Sequence, residues 1–222
     1  MPTHKRFTHV IFDLDGTLIN SLDDIADACN RMLDRHGYPV HEVAAYRYFV
    51  GNGAARLVAR ALPNRLKEQD TFAELLDEYN ADYLRNNAIK TCPYAGMSEV
   101  VERLKREGIT IAVLTNKPDD TARPVMERYY PGVFPIVRGG LPGVPLKPDP
   151  APVLALMEQL GVQGERTLFV GDSNVDIQTA KNAGISACGV LWGFRTRAEL
   201  EQEGADYIVS QPEELLDVIL GN

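Results

Sequence analysis

The sequence predicts an α/β protein whose parallel sheet is interrupted by a helical insert after the first strand. Two observations favour this fold class. From residue 89 onward, short and nearly continuous apolar segments alternate with amphipathic segments, which is typical of a parallel sheet with helices on both faces. Residues 18–88, in contrast, have almost entirely helical patterns. We therefore expect residues 1–17 and 89–222 to form the α/β core and residues 18–88 to form an all-helical unit on it.

The elements of the first half follow from apolar spacing and helix-terminal signals. The first strand is predicted over residues 8–13. Ser21 and Asp24 have the spacing of a capping box, in which each side chain binds a free backbone N–H of the first turn, so we expect a helix to begin there. Gly37 is suited to end it. Further helices are predicted near residues 42–49, 53–62 and 66–84.

The second half alternates between the two types of element. Strands are predicted at residues 109–115, 134–137, 167–171, 187–192 and 207–209. Helices are predicted at residues 98–107, 119–129, 150–160, 175–183 and 213–220.

Composition excludes several classes of function. The formal net charge of −8 argues against a nucleic-acid partner, because binding to the phosphate backbone requires basic patches. No stretch reaches the ~18 apolar residues of a membrane span, and no signal peptide is recognisable, so we expect a cytoplasmic protein without a membrane partner. Both a monomer and a homodimer are compatible with the sequence.

Three scattered cysteines without CxxC spacing predict neither a disulfide framework nor a zinc site. They are Cys29, Cys92 and Cys188.

Polar residues follow the carboxyl ends of successive predicted strands. In an open, Rossmann-like parallel sheet, ligands bind at that edge. Carboxylates converging there with a lysine indicate Mg²⁺, which prefers oxygen ligands, and Thr and Lys side chains are donors suited to phosphate oxygens. Gly16 would let backbone N–H groups approach an anion. The candidate residues are Asp13, Asp15, Thr115, Asn116, Lys147, Asp172 and Asp176.

Each of these segments has an ordinary structural interpretation when it is taken alone. A D-x-D-G sequence is often a turn, Thr115 and Asn116 can form a cap, and Ser173 can cap a helix. Two other classes of protein also use a parallel α/β sheet. A signalling receiver domain combines an Asp cluster, Mg²⁺, Thr or Ser and Lys, but it does not need a second acid such as Asp15. A non-catalytic binding protein would not require the complete set.

Four segments resemble the motifs of the haloacid dehalogenase-like phosphohydrolase superfamily. They are DLDGTL at residues 13–18, VLTN at 113–116, KPDP at 147–150 and GDSNVD at 171–176. The helical insert is similar to the small helical cap of this superfamily. Within it, the segments FVGNGAARLVARAL, YAGM, TNKP and GVLWGF resemble the bacterial phosphoglycolate phosphatase family, whereas the proline-rich loop before Lys147 departs from the pattern of that family.

The resemblance implies a Mg²⁺-dependent phosphatase for a small, anionic phosphate monoester, with 2-phosphoglycolate favoured. Asp13 would form an aspartyl-phosphate, and Asp15 would act as general acid and then as general base. The metal would be held by the Asp13 side chain, the Asp15 backbone carbonyl and Asp172. Asp176 would orient metal-bound water or Lys147.

The resemblance also implies which residues bind substrate. Gly16, Thr115, Asn116 and Lys147 would contact the phosphoryl group, and Asn52 and Gly53 lie in an insert turn that is expected to face the site. A phosphosugar mutase would use the same first motif, but its second and fourth motifs differ from the present ones. Pyrophosphate and sugar phosphates remain open as alternative substrates, because the cap sets selectivity in this superfamily.

Overall fold

A parallel sheet lies at the centre of the computed structural model, which describes residues 5–64 and 71–221. The strands of this part of the chain are β1 His9–Phe12, β2 Ile19–Asn20, β3 Cys92–Pro93, β4 Thr110–Pro118, β5 Val137–Gly140, β6 Thr167–Gly171, β7 Ser186–Val190 and β8 Tyr207–Val209. Six of them form the central sheet in the order β5-β4-β1-β6-β7-β8, and all of its pairings are parallel. The predicted fold class is confirmed.

Apolar side chains cover both faces of the sheet. In β1, Val10 and Phe12 pack into one buried cluster and Ile11 into another, because successive side chains of a strand point to opposite faces. Three helices cover the first face, namely α5 Met97–Arg106, α6 Asp119–Tyr129 and α10 Glu214–Leu220. The second face is covered by α7 Ala151–Leu160, α8 Asn174–Ala183 and α9 Arg197–Gln202.

The helical insert has an apolar core of its own. Its helices are α1 Leu22–Arg35, α2 Val43–Phe49, α3 Ala54–Ala61 and α4 Thr71–Asn86. Cys29, Met32, Tyr46, Leu57 and Tyr79 belong to one buried cluster. The chain enters the insert through β2 and leaves it through β3, which pair antiparallel to each other. Within the described residues, no helix combines the length and apolar character that crossing a membrane requires.

The predicted capping box at the start of α1 is wrong, because both of its side chains have tertiary partners. Ser21 donates its hydroxyl hydrogen to Asp15 at 2.5 Å. Asp24 accepts hydrogen bonds from the backbone N–H groups of residues 89–91 and from the Thr91 hydroxyl. The buried Asp24 carboxylate therefore ties the segment that leaves the insert to the helix that enters it.

Two strand predictions needed correction. The strand predicted at residues 134–137 lies at Val137–Gly140 instead, because Val137 and Arg138 are the residues that pair with β4, and Pro135 has no N–H to donate. The strand predicted to end at Thr115 continues to Pro118. Sequence patterns also missed α9, whose six residues are too few for a periodic signal. The predicted start of the helix at residue 66 lies outside the described residues.

Candidate active site

The candidate residues converge at the carboxyl edge of the sheet. Because β1 lies between β4 and β6, the residues that follow these three strands are neighbours in space. Asp13 follows β1 directly, and its N–H donates to the Val170 carbonyl of β6 at 2.9 Å. Asp172 follows β6, and Thr115 lies in β4.

Three buried carboxylates and one lysine form the centre of this edge. One oxygen atom from each of Asp13, Asp172 and Asp176 lies within 4.8 Å of the other two. The Lys147 ammonium donates to Asp13 Oδ1 at 2.8 Å and to Asp176 Oδ1 at 2.6 Å. All four side chains are buried, so three acidic groups share one ammonium away from water.

Burial and the neighbouring charges change the pKa values of these groups. Burial raises the pKa of Asp13 to about 7, with Lys147 opposing the increase and Asp176 adding to it. Burial, Asp176 and Asp13 together raise the pKa of Asp172 well above its ordinary value. Burial by itself would lower the pKa of Lys147, but Asp13 and Asp176 outweigh it and the net change is upward. Buried oxygen donors that repel one another in this way fit a hard divalent cation.

The hydrogen bonds distinguish the three carboxylates from one another. Both oxygens of Asp176 accept hydrogen bonds, one from Lys147 and the other from the N–H and hydroxyl of Ser173. Asp172 accepts from the Phe194 N–H through Oδ2. Within the described part of the chain, Asp13 and Asp172 each keep one oxygen without a hydrogen bond. Those two oxygens are the ones best placed to bind a cation, and Asp176 is better placed to orient Lys147.

Asp15 lies outside the carboxylate cluster and has a separate set of partners. It accepts from the Lys117 ammonium at 2.8 and 3.1 Å and from Ser21. Lys117 also donates to the Tyr83 hydroxyl at 2.5 Å. The Asp15 side chain is therefore committed to Lys117 and Ser21, which leaves only its backbone carbonyl for the predicted metal site.

Lys117 is the main site residue that sequence reasoning missed. Its ammonium is buried beside Asp15, with only 2% of the side chain exposed. A signal was present in the sequence, because Lys117 is two residues after Thr115 and alternate residues of a strand point the same way. The signal was lost because the strand was predicted to end at Thr115, whereas β4 includes both residues.

Asn116 is bound to backbone groups. Its side-chain amide donates to the carbonyls of Gly51 and Lys147 at 2.9 and 2.8 Å, and its oxygen accepts from the Lys147 N–H at 2.8 Å. These contacts fix the loop that carries Lys147 and join it to a turn of the insert. They favour a positioning role over the predicted contact with phosphate.

Gly16 is required by a close approach. Its φ is +91°, and a Cβ atom at this position would collide with the Asp172 carboxylate. Its N–H donates to the Ile19 carbonyl at 2.9 Å, so this N–H is not directed at an anion as the sequence analysis expected.

A small cavity of about 50 Å³ lies between the core and the insert. Gly53 lines it, as predicted, but Asn52 does not, and the Asn52 side chain accepts instead from Arg60 at 2.7 Å. The cavity is polar toward the core and apolar toward the insert. Its walls include Asp13, Asp15, Thr115, Lys117, Leu57, Phe194 and Arg195.

Comparison with known proteins identifies the family of this chain. The sequence matches the haloacid dehalogenase-like hydrolase family over residues 10–190, so the chain belongs to this family and is a hydrolase. It is similar to the phosphoglycolate phosphatase of Pseudomonas putida, with 36% identity over 211 residues that cover 93% of this chain and 78% of the relative. The phosphoglycolate phosphatase of Aquifex aeolicus is 31% identical over 95% of each chain.

The same similarity extends to solved structures. The crystal structure of a predicted phosphoglycolate phosphatase from Haemophilus somnus superposes with a TM-score of 0.88 and 31% identity, covering 97% of this chain and 99% of the other. The family membership that the four motifs predicted is confirmed.

Proposed function

We propose that this protein is a Mg²⁺-dependent phosphatase that hydrolyses a small phosphate monoester, 2-phosphoglycolate, to glycolate and phosphate. The observation that carries the proposal is the buried cluster of Asp13, Asp172, Asp176 and Lys147 beside a separately held Asp15. The names of the relatives support the choice of substrate.

Asp13 is the nucleophile in this proposal. Its carboxylate attacks phosphorus to form an aspartyl-phosphate, which divides one difficult displacement into two easier steps. Lys147, at 2.8 Å, favours the anionic carboxylate that this step requires. The Thr115 hydroxyl and the Lys147 ammonium donate hydrogen bonds to the transferring phosphoryl oxygens.

Asp15 moves the proton. It gives a proton to the leaving-group oxygen as Asp13 attacks, and it then takes a proton from the water that hydrolyses the acyl phosphate. Ser21 and Lys117 hold its carboxylate in one orientation. The reaction needs this second carboxylate to be separate from the first, and the two sets of hydrogen bonds keep them separate.

Asp13 and Asp172, with the Asp15 backbone carbonyl, would hold Mg²⁺. When bound, the ion supplies positive charge for the oxygens of the transferring phosphoryl group. Asp176 keeps Lys147 in place through the 2.6 Å contact. Phosphoryl transfer depends mainly on such positioning and on charge stabilisation.

The cavity favours a small leaving group. Its volume of about 50 Å³ is enough for only a few water-sized groups. Residues 18–88 act as the cap in this proposal, closing the cavity with apolar side chains and excluding bulk water. A two-carbon leaving group fits this space better than a sugar does.

Steady-state phosphate release tests the proposal. We would compare 2-phosphoglycolate with sugar phosphates, pyrophosphate and p-nitrophenyl phosphate, each in Mg²⁺ and in EDTA, with Asp13→Asn as the control. We expect a kcat/KM for 2-phosphoglycolate at least about tenfold above the others, lost in EDTA and in the variant. A flat or sugar-phosphate-biased profile would reject the substrate, and activity of a folded Asp13→Asn protein would reject the nucleophile.

A further inference from the structure

Lys117 is a buried cation whose part in the proposed phosphoryl chemistry is limited to holding Asp15. The transferring phosphoryl group already has Lys147, Thr115 and a metal site. The Lys117 ammonium is bound instead to Asp15 and Tyr83. Burying a lysine is costly even when its charge has a partner. A buried lysine at this site therefore indicates a function.

The position of Lys117 relative to the leaving group supplies that reason. Asp15 protonates the leaving-group oxygen in the proposed reaction, so this oxygen lies within hydrogen-bond reach of Asp15. The Lys117 ammonium is 2.8 Å from Asp15 Oδ1 and lines the same cavity. Atoms attached one or two bonds beyond the leaving oxygen therefore lie beside the ammonium.

The second cation in the cavity wall is less available. Arg195 donates to the backbone carbonyls of Arg47 and Val50, and its guanidinium lies 5.0 Å from the centre of the Tyr48 ring. It is bound to the C-terminal end of α2. The cavity thus presents Lys117 as the cation nearest to the leaving group among the described lining residues.

We propose that Lys117 is a specificity-determining residue whose ammonium binds the carboxylate of the leaving group, so that the site selects phosphate esters of a short hydroxy acid over esters of uncharged alcohols. The inference rests on the proposed function and deepens it. In the free protein Asp15 neutralises Lys117, and in the complex the substrate carboxylate shares the ammonium with Asp15.

Tyr83 makes this contact depend on the insert. The phenol is on α4, its hydroxyl oxygen accepts from Lys117, and its ring centre is 4.6 Å from the ammonium. Lys117 itself is on β4 of the α/β core. Its ammonium therefore has one partner in the core, Asp15, and one in the insert, Tyr83. A carboxylate can therefore be recognised fully only when the insert covers the site.

A pair of matched substrates tests the inference in the whole protein. Ethyl phosphate has the two-carbon chain of 2-phosphoglycolate without the carboxylate, and it needs the same proton from Asp15. For Lys117→Met we expect the ratio of kcat/KM for 2-phosphoglycolate to that for ethyl phosphate to fall roughly 30-fold or more, since one partner of a buried charge pair is removed. Lys117→Arg should retain more of the ratio than Lys117→Met.

Two controls make the result interpretable. Lys105→Met removes the same charge from an exposed position of α5 and should leave both rates unchanged. Inhibition by glycolate should weaken in Lys117→Met, while inhibition by inorganic phosphate should change much less. If Lys117→Met does not fold, as judged by circular dichroism, Lys117→Gln gives the same comparison with a neutral hydrogen-bonding side chain.

The opposing outcomes are distinct. Equal losses on both esters would mean that Lys117 only positions Asp15, and no loss on either would mean that it has no role; each result overturns the inference and leaves the proposed function intact. Wild-type protein that does not prefer 2-phosphoglycolate over the substrate panel would overturn the proposed function, and the inference with it.

Discussion

At the scale of single residues, the two carboxylates of the first motif are kept apart by two lysines. Asp13 and Asp15 are separated by one residue, and two like charges so close repel each other. Asp13 is paired with Lys147 and Asp15 with Lys117. Each carboxylate therefore has its own ammonium. In the proposed reaction, one acts as nucleophile and the other as acid and base.

Gly16→Ala should damage the site more than the fold. A Cβ at Gly16 would collide with the Asp172 carboxylate, whereas at Gly108, which also has a positive φ, it would meet nothing within 4 Å. Gly108→Ala should lower the free energy of unfolding by about 1–2 kcal/mol because of the left-handed backbone, and Gly16→Ala should lower it further because Asp172 must also shift. Only Gly16→Ala should also lower kcat/KM, by roughly 10- to 100-fold, because it displaces a proposed metal ligand.

Denaturant unfolding and steady-state kinetics on the two variants measure these effects separately. Equal activity of Gly16→Ala and Gly108→Ala would show that the position of Asp172 tolerates the added methyl group.

At the scale of elements, ion pairs join the first and last helices of the insert. Asp82 of α4 is buried and accepts hydrogen bonds from Arg31 and Arg35 of α1, the latter at 2.8 Å, and from Asn86. Burial opposes ionisation of Asp82, but the hydrogen bonds from Arg31, Arg35 and Asn86 outweigh it and lower its pKa to about 2. These ion pairs hold together α1 and α4, which are far apart in sequence.

Asp82→Asn should destabilise the protein in a pH-dependent way. At pH 7 we expect a loss of about 1–2 kcal/mol in the free energy of unfolding, a modest value because both arginines are partly exposed. The folded pKa lies below the ordinary value of 3.8, so the carboxylate stabilises fully above about pH 4 and less as pH falls through about 2. The difference between wild type and variant should narrow over that window.

Urea unfolding at a series of pH values measures this difference. Asp34→Asn, at an exposed position of α1, the helix that carries the two partner arginines, is the matched control and should show little effect at any pH. A difference for Asp82→Asn that stays constant down to pH 2 would contradict the prediction.

At the scale of the whole molecule, the site is assembled where the core and insert meet. Phe194 lies in the core loop after β7 but packs into the apolar cluster of the insert. The neighbouring Arg195 donates to backbone carbonyls at the end of α2. Because the Phe194 N–H also donates to Asp172, the loop after β7 connects the Asp172 region to the insert.

Mg²⁺ should stabilise the folded protein, because only the folded chain brings Asp13 and Asp172 together. At a concentration 100-fold above Kd, the free energy of unfolding should rise by about 2.7 kcal/mol. We expect a higher Tm in Mg²⁺ than in EDTA for wild type. Asp172→Asn should show little response, and in EDTA it should be at least as stable as wild type, since it removes a buried like charge.

Thermal unfolding monitored by circular dichroism measures both effects. The same rise in Tm for wild type and Asp172→Asn would place the cation elsewhere.

The sequence by itself determined the fold class and the identity of most site residues. Nearly continuous apolar strands that alternate with amphipathic helices are local patterns. The sheet then brings strand-end residues such as Asp13, Thr115 and Asp172 to one edge. The family was readable for a similar reason, because its motifs are contiguous segments. The roles of these residues stay predictions until the variants are measured.

Only the tertiary structure decided which partners these residues have. It assigned Lys117 and Ser21 to Asp15, Asp24 to the segment at residues 89–91, and Asn116 to backbone carbonyls. The partners in these contacts lie from 6 to 102 residues apart, so no local spacing records them. In sequence alone, Ser21 and Asp24 fit a local helix cap equally well. In the folded protein they bind distant groups instead, because hydrogen bonds are stronger in the buried interior.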